Sequence, residues 1–199
     1  MIAIIDYGVG NLKSIYNSLQ RLGIDSVVTK DEEVINNADK IILPGVGAFK
    51  DAMASLEKSG LIKCIKENVK GGKPTLGICL GMQVLFDRGF EDGECKGLSI
   101  LEGDVVKLKE GLKIPHMGWN SLKFNKSHKL LEGIDEGEFV YFVHSYYVEA
   151  KNLDDVVTFS DYGVNVPGIV AKGNVIGMQF HPEKSGETGL KLLRNFGGM

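Results

Sequence analysis

The sequence predicts a single α/β domain in which a mostly parallel central sheet carries helices on both faces and continues into an antiparallel extension. Two observations support this fold class. In the first half of the chain, short and almost continuously apolar runs alternate with amphipathic stretches, as in parallel sheets whose strands are buried on both faces. After about residue 97, strand-like runs follow one another without helices between them, which is typical of antiparallel pairing.

The first half of the chain supplies the parallel part of the predicted sheet. The predicted strands cover residues 2–6, 26–29, 40–45 and 75–80. The predicted helical segments, which place apolar side chains at helical spacing, cover residues 11–23, 48–72 and 80–90. These segments are long enough to cross from one strand to the next parallel strand over a face of the sheet.

The second half of the chain supplies the predicted antiparallel extension of the same sheet. Its predicted strands cover residues 105–109, 138–150, 156–160 and 168–180. Residues 188–196 again show helical spacing and predict a final helix. Because no repeat, low-complexity segment or linker interrupts the pattern, residues 1–199 are expected to form one domain.

Composition narrows the classes of function. The chain has 199 residues, of which 43% are hydrophobic, and a formal net charge of −3. It has no run of Lys or Arg, so neither a nucleic acid nor a membrane surface is an expected partner. No apolar run approaches the roughly 20 residues that span a bilayer, and "MIAIIDYG" predicts a first strand rather than a signal peptide.

The cysteines favour a reducing compartment. Cys64, Cys79 and Cys95 form neither an even disulfide set nor a paired metal motif. A cytoplasmic protein without a metal or cofactor is therefore expected, with chemistry on at most one of its thiols.

The segment "DYGVGNLKS" at residues 6–14 raises the possibility of a dinucleotide site. A GxGxxG fingerprint requires glycine where Lys13 stands, and no acidic residue closes a second strand in the expected place. The favoured interpretation is a strand-to-helix turn that uses the conformational freedom of glycine, with Asn11 as the helix cap.

Cys79 lies between Gly77 and Gly81 in "KPTLGICLGMQVLF", at a predicted strand-to-helix junction. Glycines at these two positions are typical of a strained elbow that presents a nucleophile. The N-terminus of the following helix would favour a thiolate and offer N–H groups to an oxyanion. Taken alone, a small buried cysteine at a strand end is the commoner case.

The segment "GMQFHPEKS" offers a base and a group that orients it. In an extended segment His181 and Glu183 lie on the same side, which completes a Cys79–His181–Glu183 triad. The alternative is a His-Pro turn with a solvated glutamate. His116, His128 and His144 compete as bases, although none has a carboxylate at a similarly constrained offset.

The turn "PGVG" at residues 44–47 follows an apolar strand. Its backbone amides at Val46 and Gly47 are a plausible source of a second donor for the oxyanion of an acyl-transfer site. A purely structural loop is an equal interpretation unless the triad is present.

Three motifs in chain order resemble those of the class I (triad) glutamine amidotransferases: "LPGVGAF" at 43–49, "GICLGMQ" at 77–83 and "FHPEKS" at 180–185. Two more, "DYGVGNLKS" and "PHMGWN" at 115–120, narrow the resemblance to the glutaminase subunits of imidazole glycerol phosphate synthases. The resemblance covers essentially the whole chain. It implies a triad of Cys79, His181 and Glu183 that hydrolyses glutamine without a cofactor.

The resemblance also implies further site residues. The oxyanion would be held by amides at Gly47 and Leu80. Glutamine would be bound by residues that match Gly47, Gln83, Glu91, Ser145 and Tyr146. The partner would be contacted by residues that match Asn11, Trp119, Asn120, Tyr141 and Lys184.

The implied partner is a (β/α)8-barrel synthase subunit, a cyclase that forms a heterodimer with the glutaminase. It would use the ammonia to make imidazole glycerol phosphate and AICAR in histidine biosynthesis. The motifs leave two alternatives open. One is a paralogous glutaminase that supplies a sugar amidotransferase in surface-polysaccharide biosynthesis, and the other is a stand-alone cysteine hydrolase.

Overall fold

The structure is a computed structural model that describes residues 1–199. Its strands, numbered in chain order, are β1 (Ile2–Ile5), β2 (Ser26–Thr29), β3 (Lys40–Leu43), β4 (Thr75–Ile78), β5 (Arg88–Gly89), β6 (Cys95–Lys96), β7 (Gly103–Lys107), β8 (His116–Ser121), β9 (Lys123–Phe124), β10 (Phe139–His144), β11 (Tyr146–Ala150), β12 (Val156–Asp161), β13 (Asn165–Lys172) and β14 (Val175–Met178). Its α-helices are α1 (Leu12–Arg21), α2 (Glu32–Asn37), α3 (Phe49–Ser59), α4 (Leu61–Lys70), α5 (Leu80–Gln83) and α6 (Gly186–Gly198).

The central sheet has eight strands in the order β2-β1-β3-β4-β14-β13-β12-β9. The first five are parallel, and β13, β12 and β9 continue the sheet in antiparallel fashion. The predicted parallel sheet with an antiparallel extension is therefore confirmed. Residues 168–180, for which the sequence predicts one strand, instead form parts of β13 and β14, which are joined by a hairpin.

Helices cover both faces of this sheet because its strands are apolar on both sides. On one face, Ala3 and Ile5 of β1 pack in one core with buried residues of α2, α3 and α4. On the other, Ile2 and Ile4 pack in a second core with buried residues of α1 and α6. Successive side chains of a strand point to opposite faces, so one short apolar strand serves both cores.

Not every strand of the second half joins the central sheet, and this part of the prediction is wrong. Strands β8 and β10 form a two-stranded sheet, and β11, β7, β5 and β6 form a four-stranded one. The predicted strand at residues 138–150 is broken at Ser145, where the chain passes from one small sheet to the other. This break brings Ser145 to the wall of the cavity described below.

Two predicted helical segments also differ from the structure. Gly60, at φ 76°, divides residues 48–72 into α3 and α4. The helix predicted at residues 80–90 ends at Gln83. The next three residues, 84–86, are fully buried. Their backbone carbonyls accept hydrogen bonds from the loop at residues 98–100 and not from a further helical turn. Tertiary contacts therefore end the helix.

Candidate active site

Cys79 sits on a strained elbow between β4 and α5. Its φ is 53° and its ψ is −112°, in a region that costs a non-glycine residue energy and persists only where the surroundings enforce it. A Cβ on Gly77 would lie 2.6 Å from the Gly81 carbonyl oxygen, and one on Gly81 would lie 1.9 Å from the Leu43 carbonyl oxygen. Both flanking glycines are therefore required by close backbone packing, as the sequence predicted.

The elbow opens onto a cavity of about 320 Å³. Cys79 is buried, yet it lines this cavity together with His181. All residues predicted for the oxyanion and for glutamine lie in the same wall: Gly47, Leu80, Gln83, Glu91, Ser145 and Tyr146. The cavity therefore assembles side chains that are distant in the sequence around one thiol.

His181 joins Cys79 to Glu183. Its Nδ1 lies 2.9 Å from Glu183 Oε1, and the two side chains are 2% and 0% exposed, so the alternative with a solvated glutamate is wrong. Burial alone would lower the pKa of His181, but hydrogen bonds to Cys79 and Glu183 and their charges outweigh it and raise the pKa to about 10. These contacts stabilise the imidazolium form of His181, the form that it takes when it holds the proton of the thiol.

Asn11 holds the carboxylate of this triad. It occupies the N-cap position of α1, but its side chain makes no capping bond, so the predicted capping role is wrong. Its Nδ2 instead donates to Glu183 Oε1 over 3.3 Å. Glu183 Oε2 is buried without a hydrogen-bond partner, so the two donors share one oxygen and fix the carboxylate on the side that faces His181.

The three competing histidines are not placed to deprotonate Cys79. His128 Nδ1 accepts from the backbone of Leu130 at the start of a 3-10 turn, and His128 is absent from the cavity wall. His144 lines the cavity, but its two ring nitrogens lie 2.9 Å from His116 and 3.0 Å from the Tyr146 carbonyl oxygen. Only His181 is left with a nitrogen for the thiol.

Gln83 is held by acceptors inside the protein. Its Nε2 donates to the Tyr146 carbonyl over 2.8 Å and to Gln179 Oε1 over 3.0 Å. Both amide hydrogens are thus used, and Oε1 is the polar atom that Gln83 has left for a ligand. Glu91 also has a structural contact, because its Oε2 accepts from the Phe49 backbone at the start of α3 over 2.8 Å.

Two further residues near Cys79, Gln179 and Tyr7, have no role predicted from the sequence. Gln179 is fully buried and its Nε2 lies 3.8 Å from Cys79 Sγ. The Tyr7 hydroxyl donates to the Pro44 carbonyl over 2.6 Å, and burial together with the nearby Cys79 raises the pKa of Tyr7 above its ordinary value. Both residues lie within quoted motifs, but their contacts arise only when the sheet places β1 beside β3 and β4 beside β14.

The turn at residues 44–47 packs directly on the elbow. A Cβ on Gly45 would lie 2.5 Å from the Gly81 backbone nitrogen. Gly47 has a φ of +101° and lines the cavity. The turn therefore belongs to the site, and its positive φ makes Gly47 a position where other residues would be strained.

An exposed apolar face lies beside the triad on the sheet of β8 and β10. Trp119 is 55% exposed and contacts Tyr141 edge to face, with ring centroids 6.0 Å apart. Met117 and Phe139 are also exposed. The Tyr141 carbonyl accepts a hydrogen bond from the His181 backbone N–H over 3.0 Å. A backbone hydrogen bond therefore connects this face to His181.

The remaining residues predicted for the partner surface differ in exposure. Lys184 is exposed and follows the triad in a 3-10 turn at Pro182–Lys184. Asn120 is partly buried, and its Nδ2 donates to the Asp161 carbonyl over 2.9 Å.

No cluster of three or more His, Cys, Asp or Glu side chains is placed to hold a metal ion. None of the helices combines the length and the apolar character needed to cross a membrane.

Comparison with known proteins agrees with this geometry. The family model of the class I glutamine amidotransferases matches residues 3–197. The chain belongs to the class I glutamine amidotransferase family. Among solved structures, one described as a glutamine amidotransferase superposes with a TM-score of 0.78 over 100% of both chains at 21% identity. PurLQS from Thermotoga maritima superposes with a TM-score of 0.76 over 98% of this chain and 96% of that chain, also at 21% identity. These two likenesses concern the fold alone.

Two relatives are much more similar in sequence, and both are named imidazole glycerol phosphate synthase subunit HisH. That of Caldanaerobacter subterraneus subsp. tengcongensis is 53% identical over 199 residues, which cover 100% of this chain and 98% of the relative. That of Bacillus cereus (strain G9842) is 54% identical over 200 residues, which cover 100% of this chain and 95% of the relative.

Proposed function

We propose that the chain is the glutaminase subunit of imidazole glycerol phosphate synthase, in which Cys79, His181 and Glu183 release ammonia from glutamine for a separate synthase subunit. The observation that carries the proposal is the buried hydrogen bond between His181 and Glu183, with His181 and Cys79 in the wall of the same cavity. The two relatives named HisH, at 53% and 54% identity over the whole chain, support the histidine pathway over the sugar paralogue.

The reaction proceeds through a thioester. His181 takes the proton of Cys79, and the thiolate attacks the side-chain amide carbon of glutamine. When the carbon–nitrogen bond breaks, His181 returns the proton to the leaving nitrogen and ammonia departs. A water molecule, deprotonated by His181, then hydrolyses the γ-glutamyl thioester to glutamate and restores the thiol.

Backbone amides stabilise the oxyanion of each tetrahedral intermediate. The first N–H groups of a helix have no acceptor within the helix, and Leu80 is the first residue of α5, directly after the nucleophile. Gly47 on the facing turn is expected to provide the second N–H when the partner is docked. Preorganised donors of this kind are worth about 3 kcal/mol each in the transition state.

The partner supplies the site for the ammonia acceptor. The chain carries no phosphate loop and no basic cluster for a phosphorylated nucleotide. An exposed face of aromatic and apolar side chains, centred on Trp119 and Tyr141, is the kind of surface that protein interfaces bury at their centre. Asn120 follows Trp119 in β8, while Asn11 bonds Glu183 and Lys184 follows Glu183 in the chain. We assign this face to a (β/α)8-barrel synthase in a cytoplasmic heterodimer.

Replacing Trp119 with alanine is expected to weaken the heterodimer. A central tryptophan typically contributes about 2 kcal/mol or more to an interface, which corresponds to roughly 30-fold in Kd. Calorimetric titration of the variant with the synthase subunit measures this loss. Leu153→Ala is the control, since Leu153 is exposed but lies outside this face, and it should bind as the unaltered chain does. Unchanged affinity of Trp119→Ala would show that Trp119 does not contribute to the interface. Loss of the folded circular dichroism spectrum would show that Trp119 stabilises the fold instead.

The isolated chain is expected to hydrolyse glutamine poorly and to be activated by the synthase subunit. If the 44–47 turn presents its N–H only when the partner is docked, one missing oxyanion donor lowers kcat by about 10² to 10³. The measurement is glutamate release with and without the partner. A stand-alone cysteine hydrolase would instead show full turnover alone, and that result would overturn the proposed function.

A further inference from the structure

A chain of hydrogen bonds runs from β8 to the cavity through two buried histidines. His116 Nε2 lies 3.4 Å from Asn120 Nδ2, and His116 Nδ1 lies 2.9 Å from His144 Nε2. His144 Nδ1 lies 3.0 Å from the Tyr146 carbonyl oxygen, which also accepts from Gln83 Nε2. The proposed triad does not use either histidine.

The proton positions along this chain follow from its two ends. A backbone carbonyl only accepts, so His144 carries its proton on Nδ1 and presents a lone pair at Nε2. His116 must then donate from Nδ1, which leaves its Nε2 as the acceptor for the Asn120 amide. Every donor therefore points the same way, from Asn120 towards the cavity wall.

The surroundings keep both rings neutral and fixed. The His116 ring is stacked between Tyr162 and Phe142, with centroid distances of 3.8 Å and 4.7 Å. Burial lowers the pKa of His116 to about 4. Burial and the neighbouring His116 lower the pKa of His144 to about 3. A neutral imidazole has one donor and one acceptor, so the order described above is the only one that satisfies both ends.

We propose that His116 and His144 are positioning residues of the glutamine site, which they hold by fixing the Tyr146 carbonyl. This inference rests on the proposed function. The Tyr146 carbonyl accepts a hydrogen bond from Gln83 Nε2. It thereby determines which atom of the Gln83 side-chain amide is free to bind glutamine. If His144 carried its proton on Nε2, two lone pairs would face each other at the Tyr146 carbonyl and the wall would shift. The donor of His116 prevents this tautomer.

The tautomers are measured directly by ¹⁵N NMR of the histidine side chains in the unaltered protein. We expect His116 and His144 both to carry hydrogen on Nδ1 and neither on Nε2 near neutral pH. Hydrogen on Nε2 of His144 would overturn the proposal. This measurement requires neither turnover nor a variant that folds, so its failure is distinguishable from a failure of the proposed function.

The functional consequence is tested in the complex with the synthase by separating KM for glutamine from kcat. His116→Phe keeps a ring between Tyr162 and Phe142 but removes the donor, and we expect KM to rise about tenfold, the effect of one lost buried hydrogen bond, with kcat nearly unchanged. His116→Asn offers an N–H near the position of Nδ1 and should restore most of the affinity. A folded His116→Phe variant with unaltered KM, or equal defects in both variants, would overturn the proposal.

Discussion

Replacing Cys79 with alanine is expected to abolish glutamine-dependent synthesis by the assembled complex and to leave ammonium-dependent synthesis intact. No other group at the cavity can form the thioester, so the loss should reach about 10⁴ to 10⁶ in rate, as for other removed nucleophiles. Free ammonia at alkaline pH should bypass this step, because the proposed function places the acceptor site on the partner. The measurement is product formation by the reconstituted pair with either nitrogen source.

Cys95→Ala serves as the matched control for the nucleophile. Cys95 lies in β6 and does not line the cavity, so its loss should leave both reactions unchanged. If Cys79→Ala also removed the ammonium-dependent reaction in a complex shown to be assembled, the proposed division of labour between the two subunits would be wrong.

Replacing His181 with alanine should be nearly as severe as replacing Cys79, whereas Glu183→Ala should retain more activity. In the proposed mechanism His181 transfers the proton, while Glu183 orients the ring and stabilises its charge. Removing an orienting carboxylate costs about 10⁴ in other catalytic triads. Steady-state rates of glutamate release in the complex give the comparison. Equal losses for Glu183→Ala and Cys79→Ala would mean that the carboxylate acts in the chemistry itself.

Glu183→Ala is also expected to change how the stability of the fold depends on pH. The pKa of His181 is raised from 6.5 to about 10, so protonation of His181 stabilises the fold fully below pH 6.5 and this contribution is lost as the pH rises towards 10. Glu183→Ala removes one hydrogen bond that raises the pKa, and the loss should then occur at lower pH. Denaturant unfolding across this range checks the shift, and identical pH profiles would contradict the assignment.

The periodicity of the sequence was sufficient to predict the central sheet but not the small sheets. Apolar runs such as residues 2–6 identify buried strands because both faces must be covered. The same argument could not detect the break at Ser145, since residues on both sides of it have strong strand propensity. The early end of α5 could not be predicted either, because distant backbone donors at residues 98–100 bond the carbonyls of the residues that follow the helix.

In the active site, the sequence predicts the local backbone geometry where only one residue type fits the packing. Glycines around Cys79 predict an elbow because any Cβ there would clash. The role of Asn11 could not be read in the same way, since an N-cap asparagine normally bonds its own helix, whereas here its donor reaches Glu183 across 172 positions of sequence. The His116–His144 pair requires the register of β8 and β10, which places these residues opposite each other.

The most direct test of the central claim is capture of the thioester. The complex is mixed with glutamine, quenched in acid during turnover, digested and mapped by mass spectrometry. We expect a glutamyl group on the peptide that contains Cys79 and none on Cys64 or Cys95, with the adduct absent from Cys79→Ala. Rapid glutamate formation with an unmodified Cys79 peptide, or with the glutamyl group on another cysteine, would contradict the mechanism.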